Sequence, residues 1–316
     1  MQRPWLSVIV PSHDGERWLG TALQSIVDQQ DDGIEVIVID ASATEASLEI
    51  AQSFRDRLNI RVERRLDLGP WTAKTNFGVE QAQSNQICVL HQDDVWQPNR
   101  CTKLQQWLSR QPDAVMHLHS CYIIDERGRQ LGLWRCPLPD DGSPIPSQLL
   151  FERLLVQNFI AIPAPTFRRD AYLSIGGFDT QLWYTPDWDL YLRIATIGNI
   201  YYHANPLASY RIHKNSLTVL GSRNISDFRQ QHQIVVDRYA TKLRTENCNA
   251  VLRCARASID VNTALASAIH GEFHQTLNAL GSLLQLGPAG LYRYFSYSRI
   301  LDRAFPRLRA LARKSF

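Results

Sequence analysis

The chain has 316 residues, 44% of them hydrophobic and 21% charged, a composition typical of a soluble globular protein and unlike that of a disordered or collagen-like chain. Its formal net charge of +3 gives no argument for nucleic acid as a partner, and no apolar run approaches the roughly 18 to 20 residues that a membrane span needs. The six cysteines include no CxxC pair, so we expect reduced thiols and no zinc site. The first apolar run, residues 6–10, is too short for a signal peptide, which predicts a cytoplasmic protein.

Strand and helix patterns alternate along the first part of the chain. The predicted strands comprise residues 6–10, 34–39, 60–64 and 87–90, and the predicted helices between them comprise residues 18–27, 45–57 and 72–83. Strands that alternate with helices in this way form a parallel sheet with right-handed crossovers. We therefore predict an α/β fold with a doubly wound, mostly parallel sheet flanked by helices.

Polar residues follow three of these strands. Pro11, Ser12, His13 and Asp14 follow the first, Asp40 follows the second, and Asp93 and Asp94 follow the fourth. The carboxyl ends of the strands in such a sheet lie at one edge, where ligands bind. Two adjacent carboxylates at that edge suit Mg²⁺ or Mn²⁺ beside substrate phosphates. On this stretch alone, a solvated turn or a helix N-cap at Asp94 is an equal alternative.

After the fourth strand the pattern changes twice. Residues 113–215 are irregular and rich in proline, and helical patterns follow at residues 225–243, 249–268 and 272–286, the last ending at Gly287 and Pro288. The final segment, residues 292–316, interleaves apolar side chains with six cations between Arg299 and Lys314. A basic amphipathic helix of this kind lies on an anionic membrane surface or docks on the rest of the protein. Both alternatives are open at this point.

A set of motifs in a fixed order resembles the family 2 glycosyltransferases with the GT-A fold. They are SVIVPSHDGERWLGTALQSIVDQ, EVIVID and HQDDVWQPNR in the first half, and GGFD from Gly176, DWDLYLR from Asp187 and YRIH from Tyr210 in the second. The match covers about residues 5–215, and QDDVW followed by Pro98 is most similar to the branch that builds bacterial O-antigens, capsules and exopolysaccharides. The resemblance implies a nucleotide-sugar-binding half at residues 1–110, an acceptor-binding half at 111–221 and a helical C-terminal extension at 222–316.

The resemblance also implies roles for individual residues. Those at nucleotide-binding positions are Pro11, Ser12, His13, Asp14, Asp40, Lys74, Asn76 and Gln92, with Asp40 expected to bond a uracil or thymine base. Asp93, Asp94 and His213 match the residues at the Mn²⁺ or Mg²⁺ site, Asp187 matches the general base, and Gly177 lies on the acceptor side. Trp183 and Trp188 are candidates to stack on an acceptor sugar.

Several positions depart from the family pattern. His91 stands where an Asp often begins the acidic motif, and an imidazole there can ligate Mn²⁺ or bond a phosphate. Thr75 stands where an Arg is expected, with Lys74 one step earlier. Pro186 stands where a Glu is common before Asp187.

Structural roles are alternatives for several of these side chains. Asp40 and Asp187 suit helix N-caps, and Asp189 suits an ion pair with Arg193 four residues later on a helix. His117 and His119 alternate along a predicted strand, where a structural role is the expectation.

These features together imply an inverting, metal-dependent glycosyltransferase of surface polysaccharide biosynthesis. A single base opposite the leaving group gives one displacement, and hence inversion at the anomeric carbon. The implied donor is a UDP- or dTDP-linked sugar, and the implied acceptor is a saccharide or a lipid-linked saccharide. The implied location is the cytoplasm, with peripheral attachment to the inner face of the membrane as one role of the last segment. A catalytically inactive nucleotide-sugar-binding homologue of the same fold is the alternative.

Overall fold

In the residues that it describes, 3–244 and 246–312, the computed structural model has a nine-stranded sheet with helices packed around it. The strands are β1 Leu6–Ser12, β2 Ile34–Asp40, β3 Asn59–Arg64, β4 Gln86–Val89, β5 Val95–Trp96, β6 Ala114–Ile124, β7 Gln130–Trp134, β8 Thr166–Arg168 and β9 Asn199–Arg211. The helices are α1 Leu19–Val27, α2 Ala46–Gln52, α3 Trp71–Gln81, α4 Arg100–Arg110, α5 Ser147–Val156, α6 Arg169–Ser174, α7 Pro186–Ile194, α8 Leu217–Gly221, α9 Ile225–Ala240, α10 Cys248–Ile269, α11 Gln275–Leu284, α12 Gly287–Ser298 and α13 Ile300–Ala312.

The sheet has a parallel part and a mixed part. The first four strands are parallel, in the spatial order β3-β2-β1-β4, and α1, α2 and α3 connect them. The order continues β8-β6-β9-β5, where β6 and β9 are parallel and the other neighbours are antiparallel, and β7 pairs with β6. The predicted α/β architecture with its C-terminal helices is confirmed, and its parallel pairing is concentrated in the first half of the chain.

The carboxyl ends of β1 and β2 lie side by side. Both strands are buried along their whole length, as expected for strands covered by helices on both faces. Their register pairs Ser12 with Asp40, whereas β4 pairs with β1 only as far as Ile9, opposite Val89. β1 therefore runs through Pro11, beyond its predicted end, and delivers Ser12 to the edge of the sheet.

The C-terminal segment forms two helices, and the prediction of one was wrong. Arg299 adopts a left-handed backbone conformation (φ 43°), which ends α12 before α13 begins. The helix predicted to end at Gly287 and Pro288 ends at Leu284, before that point. Gly287 and Pro288 then begin α12, where the missing N–H of proline costs no helical hydrogen bond.

The second of these helices, α13, docks on β7. Arg309 donates from Nη1 to the carbonyl of Leu131 at 2.7 Å. A Cβ atom on Gly132 would lie 2.5 Å from Cγ of Pro306, so this approach requires glycine. Ala310 is buried in a small apolar cluster that includes Leu131. Of the two alternatives for this segment, the docked helix is therefore present.

Most cations of the last segment bond to oxygen atoms of the protein. Arg299 donates to Asp302, and Arg303, Arg307 and Arg309 donate to backbone carbonyls. The cations at positions 313 and 314 lie outside the described residues. Among the helices that are described, none combines the length and the apolar character needed to cross a membrane.

Candidate active site

A cleft of about 640 Å³ opens at the carboxyl ends of β1 and β4. The predicted site residues that line it are Pro11, Ser12, His13, Lys74, Gln92, Asp93, Trp183, Asp187, Trp188 and His213, and His91 joins them. The other predicted residues, all in the described part of the chain, lie outside its lining: Asp14, Asp40, Asn76, Asp94 and Gly177.

The loops after β1 and β4 are tied together by hydrogen bonds. Gln92 accepts from the N–H of His13 at 2.8 Å, and its amide donates to the His13 carbonyl at 2.8 Å. Lys74, on α3, is buried and donates from Nζ to the carbonyl of Ser12 at 2.9 Å. Burial lowers the pKa of Lys74, while the charge of Asp40 acts to raise it. The backbone at the end of β1 is thus fixed before any ligand binds.

Asp40 lies beneath this loop and does not reach the cleft. Its fully buried carboxylate accepts from the N–H of Ser42 at 3.1 Å and from the Ser42 hydroxyl at 2.8 Å. The same hydroxyl oxygen accepts from the N–H of Asp14 at 2.8 Å. Asp40 is not a helix N-cap either, because α2 begins only at Ala46. Its carboxylate orders the loops after β1 and β2 in this structure, and contact with a nucleotide base stays a prediction for it.

The end of β9 anchors Asp93 and Asp94. His213 donates from Nε2 to Oδ2 of Asp93 at 2.8 Å, and Arg211 donates from Nε to the Asp93 carbonyl at 2.8 Å. Oδ1 of Asp94 accepts from the N–H of Arg211 at 2.9 Å. The alternative of an N-cap at Asp94 is excluded, because α4 begins only at Arg100. The Asp-Asp and Tyr-Arg-Ile-His motifs therefore form one unit.

Three side chains fit a divalent cation: Asp93 and Asp94, which were predicted, and His91. The third predicted residue, His213, is not in this cluster and bonds to Asp93 through Nε2. Ligand atoms of His91, Asp93 and Asp94 lie within 4.8 Å of one another. Nε2 of His91 and Oδ2 of Asp94 are buried without a hydrogen-bond partner among the described residues. An unpaired buried polar group costs about 1 to 3 kcal/mol, and a shared cation would remove that cost at both atoms. Carboxylates suit Mg²⁺ and Mn²⁺, and an imidazole is compatible with the transition metal.

The electrostatics of the three groups agree with a cation site. Burial and the adjacent charge of Asp93 raise the pKa of Asp94 well above its usual value. Burial also acts to raise the pKa of Asp93, but the hydrogen bond from His213 and the nearby His91 outweigh it and lower that pKa. Burial lowers the pKa of His91, which favours the neutral ring that can ligate a metal. The raised pKa of Asp94 shows that the site has too little positive charge to stabilise two carboxylates at once. A bound cation would supply that charge.

Asp187 enters the cleft from the first turn of α7. The helix begins at Pro186 with Thr185 as its N-cap residue, so Asp187 is not the cap. Oδ2 of Asp187 accepts from Nδ2 of Asn158 at 2.9 Å, and Oδ1 accepts from the N–H of Trp188 at 2.8 Å. Burial raises the pKa of Asp187 to about 6, although both hydrogen bonds act to lower it. A carboxylate with a pKa raised toward neutrality in a cleft is suited to accept a proton.

Asp189, two residues further on, has the structural role expected for it. Its buried carboxylate accepts from Nε of Arg193 at 2.8 Å, from Nη1 of Arg238 at 2.7 Å and from the hydroxyl of Tyr239 at 2.8 Å. These contacts fasten α7 to α9 and hold Asp187 in its place at the cleft.

Residues 7–173 of the chain match the family described as Glycosyl transferase family 2. The chain belongs to this family. An uncharacterized glycosyltransferase of Rickettsia prowazekii is 25% identical over 234 residues, which are 71% of this chain and 69% of that protein. One from Rickettsia felis is 26% identical over 251 residues, which are 77% of this chain but only 39% of that longer protein. The family resemblance and the enzyme class, glycosyltransferase, are confirmed.

Solved structures agree on the fold. The structure of S. aureus TarS 1-349 has a TM-score of 0.62 at 17% identity, covering 98% of this chain and 92% of that one. The mannosyltransferase PcManGT from Pyrobaculum calidifontis, solved with GDP-Man and Mn²⁺, has a TM-score of 0.56 at 16% identity, covering 98% of this chain and 88% of that one. At such identities the likeness shows the fold, and the predicted GT-A type of fold is confirmed.

In this family 2 glycosyltransferase, Asn76 and Gly177 hold the walls of the cleft together from outside it. Asn76 accepts from the N–H of Phe178 at 2.9 Å and from the hydroxyl of Tyr172 at 2.6 Å, and donates to the Phe178 carbonyl at 2.9 Å. Gly177 has a φ of +65°, and a Cβ atom there would lie 2.5 Å from Oδ1 of Asn76. The amide oxygen of Asn76 therefore accepts from two protein donors and its nitrogen donates to one protein carbonyl, and contact with a nucleotide stays a prediction for it.

The two predicted tryptophans of the glycosyltransferase both line the cleft, and both are hydrogen-bonded. Trp188 donates from Nε1 to the carbonyl of Leu154 at 2.6 Å and is almost fully buried. Trp183 donates from Nε1 to Asp227 at 2.8 Å. A Cβ atom on Gly221 would lie 2.1 Å from Cζ3 of Trp183, so the glycine leaves room for this ring. Trp183, which is only partly buried, is the better placed of the two to meet a sugar.

Several residues that line the glycosyltransferase cleft were not predicted from the sequence. The main ones are Asn158, Tyr184, His232, Arg303 and Arg307. Asn158 lies in an irregular stretch that offers no periodic signal. Arg303 and Arg307 are four residues apart and so share a helix face, but the sequence does not show which surface that face meets.

Proposed function

We propose that this glycosyltransferase is inverting and metal-dependent, and that it moves a sugar from a UDP- or dTDP-linked donor to a saccharide or lipid-linked saccharide. One observation carries the proposal: His91 and Asp93, which form a cluster with the buried Asp94, line the same cleft as a second, separately held carboxylate, Asp187. The reaction needs positive charge at a leaving diphosphate and a base at the attacking hydroxyl. A cation held by the cluster would supply the positive charge, and Asp187 would be the base. Surface polysaccharide assembly is the pathway that we propose for it.

On the donor side, we assign nucleotide contacts to the loops after β1 and β4. Ser12, His13 and Gln92 line the cleft next to Asp93, and their backbone is already fixed. A Mn²⁺ or Mg²⁺ ion held by His91, Asp93 and Asp94 would supply positive charge to the departing diphosphate. PcManGT with GDP-Man and Mn²⁺, and TarS 1-349 with UDP-GlcNAc, support this type of donor because they share the fold.

On the acceptor side, Asp187 takes the proton of the attacking hydroxyl. The acceptor oxygen forms a bond to the anomeric carbon while the bond from that carbon to the phosphate oxygen breaks. The nucleoside diphosphate leaves with the electron pair, and the hydroxyl proton moves to the Asp187 carboxylate. Asn158 and the N–H of Trp188 hold that carboxylate in one orientation. Attack on the side opposite the leaving group inverts the anomeric configuration.

Removal of the metal tests the proposal directly. After treatment with EDTA and desalting, the protein should release no nucleotide from UDP- or dTDP-sugars, and added Mn²⁺ or Mg²⁺ should restore slow release by hydrolysis of the donor without an acceptor. Free UDP or dTDP is measured across a panel of donor sugars. Turnover that survives metal removal would contradict the metal dependence. A donor that binds tightly and is not hydrolysed with any metal would identify an inactive binding homologue.

We also propose a cytoplasmic location, where nucleotide sugars are available, with peripheral attachment to an anionic membrane surface through α13. Leu301, Phe305 and Leu308 recur at helical spacing and are 48%, 54% and 57% exposed. An exposed apolar stripe on an arginine-rich helix is the pattern of interfacial binding.

Liposome sedimentation measures this attachment. The full chain should sediment with phosphatidylglycerol liposomes at low salt and less so as salt is added. Changing Leu301, Phe305 and Leu308 together to Ser should abolish sedimentation, whereas Leu66→Ser, at a position 61% exposed elsewhere, should not. If the unmodified protein ignores these liposomes at low salt, the membrane proposal fails.

A further inference from the structure

Helix α13 brings two arginines into the glycosyltransferase cleft. Arg303 and Arg307 both line it, although α13 docks on β7 at the edge of the sheet. The Arg303 guanidinium carbon lies 5.5 Å from the ring centre of Trp134, the last residue of β7. The C-terminal helix is therefore a wall of the cleft and not only a support behind it.

These two cations are poorly satisfied by the protein. Arg303 donates from Nη1 to the carbonyl of Asn158 at 3.1 Å, but its Nε and Nη2 are buried and have no hydrogen-bond partner among the described residues. Arg307 donates from Nη1 to the Arg303 carbonyl at 3.0 Å. Within the described parts of the chain, neither guanidinium forms an ion pair with a carboxylate. The positive charges of Arg303 and Arg307 thus face one cleft, and Arg303 has N–H groups there that no described residue accepts.

Such an arrangement is costly unless a ligand completes it. Buried N–H groups on a charged side chain lose their water without gaining an acceptor. Two guanidinium groups on adjacent turns of one helix also repel each other, and burial together with the charge of Arg307 lowers the pKa of Arg303 to about 10, which still leaves it charged at neutral pH. An oxyanion that accepts several N–H bonds at once would satisfy both groups, since the planar guanidinium of arginine binds phosphate and carboxylate in bidentate fashion.

The position of Arg303 indicates which substrate carries that oxyanion. Asn158 accepts from Arg303 through its carbonyl and donates to Asp187 through its side chain. The arginine is therefore one residue removed from the base that we assign to the acceptor hydroxyl. The donor diphosphate is assigned instead to the cluster around Asp93, which has its own fixed contacts to β9.

We propose that Arg303 and Arg307 bind an anionic group of the acceptor, a phosphate or a carboxylate close to the hydroxyl that attacks. The proposal rests on the proposed function for its acceptor side, and it specifies the substrate class: a saccharide that carries a phosphodiester, a phosphate or an acidic sugar. A neutral acceptor could offer these N–H groups of Arg303 only uncharged oxygens and no charge-assisted bidentate bond, so the cleft should favour an anionic acceptor.

The experiment measures binding of inorganic phosphate and needs no turnover. Equilibrium dialysis with ³²P-labelled phosphate is carried out on the full chain, first without nucleotide and then with saturating UDP and Mg²⁺. The wild type should bind phosphate saturably and keep this binding when UDP is present. Arg303→Gln and Arg307→Gln should each weaken it by about tenfold or more, because a charge-assisted bidentate contact is lost.

Arg256→Gln is the control, since it removes a cation at an exposed position on α10 that is outside the cleft lining and takes no part in the docking of α13. It should leave phosphate binding unchanged, and circular dichroism should show that each variant keeps its helical content. No saturable binding by the wild type, or equal binding by all three variants, would overturn the proposal. Displacement of phosphate by UDP would assign the arginines to the donor diphosphate and would overturn it too. Failure of donor hydrolysis with intact phosphate binding would count against the proposed function alone.

Discussion

Replacing Asp187 with Asn should lower kcat by about two to four orders of magnitude with little change in donor affinity. The amide has nearly the same size and can still bond to its neighbours, but it cannot take a proton at neutral pH. Asn158 and the N–H of Trp188 donate to the carboxylate, so part of the local hydrogen bonding must reorganise without loss of the fold. Initial rates at saturating donor and acceptor, and UDP binding by calorimetry, separate the chemical step from binding.

The pH profile gives this prediction a second measurement. Only ionised Asp187 acts as a base, and burial raises its pKa to about 6, so kcat of the wild type should fall as the pH decreases through 6 and level off above it. The residual activity of Asp187→Asn should lack that acidic limb. Asp237→Asn, at an exposed position on α9, is the control and should retain both the rate and the profile. Full turnover by Asp187→Asn would mean that another group takes the proton.

Replacing Asp93 with Ala should abolish metal-dependent binding of the nucleotide while the fold persists. Asp93 lies at a strand end, is bonded to His213 and sits beside Asp94, whose pKa it raises. Removing the Asp93 carboxylate takes away the hydrogen-bond acceptor of His213, so the metal-free variant should melt at a somewhat lower temperature than the wild type. The measurement that decides is therefore the change in melting temperature when ligand is added. In the wild type, Mn²⁺ with UDP should raise the melting temperature, because a ligand that binds only the folded state stabilises it.

In Asp93→Ala that rise in melting temperature should disappear, and UDP should bind no more tightly with Mn²⁺ than without it. Asp56→Ala, an exposed acid far along the chain from the cluster, is the matched control and should behave as the wild type. If Asp93→Ala keeps the full response to Mn²⁺, the cation is held elsewhere and the assignment of this motif is wrong.

The parallel half of the fold could be predicted because its signals are local. Residues 34–39 form an almost unbroken apolar run, and β2 is buried along all of it. The mixed half could not be predicted in the same way, since β8 inserts between β4 and β6 by antiparallel pairing that places Cys88 opposite Thr166. Such pairing depends on contacts between distant residues, which a short sequence window does not contain. The break at Arg299 was missed because nothing in its residue type favours a left-handed conformation.

The site was predictable where chemistry follows a motif, and not where it depends on packing. Asp93, His213 and Asp187 line one cleft, as the resemblance implied, although they are far apart in sequence. The contact of Asp40 with Ser42 could not be predicted, because the sequence pattern does not show whether a short carboxylate bonds a neighbouring loop or faces a ligand. Arg303 was taken for part of a solvated or membrane face, since the docking partner of an amphipathic helix cannot be seen in its own pattern.

The docking of α13 on β7 also determines when the cleft is completed during translation of the chain. The contact between Arg309 and Leu131 spans 178 positions in sequence, so the strands of the donor side leave the ribosome long before this wall can form. A nascent chain at that stage has an incomplete cleft, because the helix that packs against Trp134 and Tyr210 has not yet been synthesised. A chain cut by a protease near Arg299 would keep the loops to which we assign the donor and would lose Arg303 and Arg307, to which we assign the acceptor anion. If Arg303 and Arg307 bind the acceptor as we propose, recognition of the acceptor depends on the helix that is synthesised after the rest of the cleft.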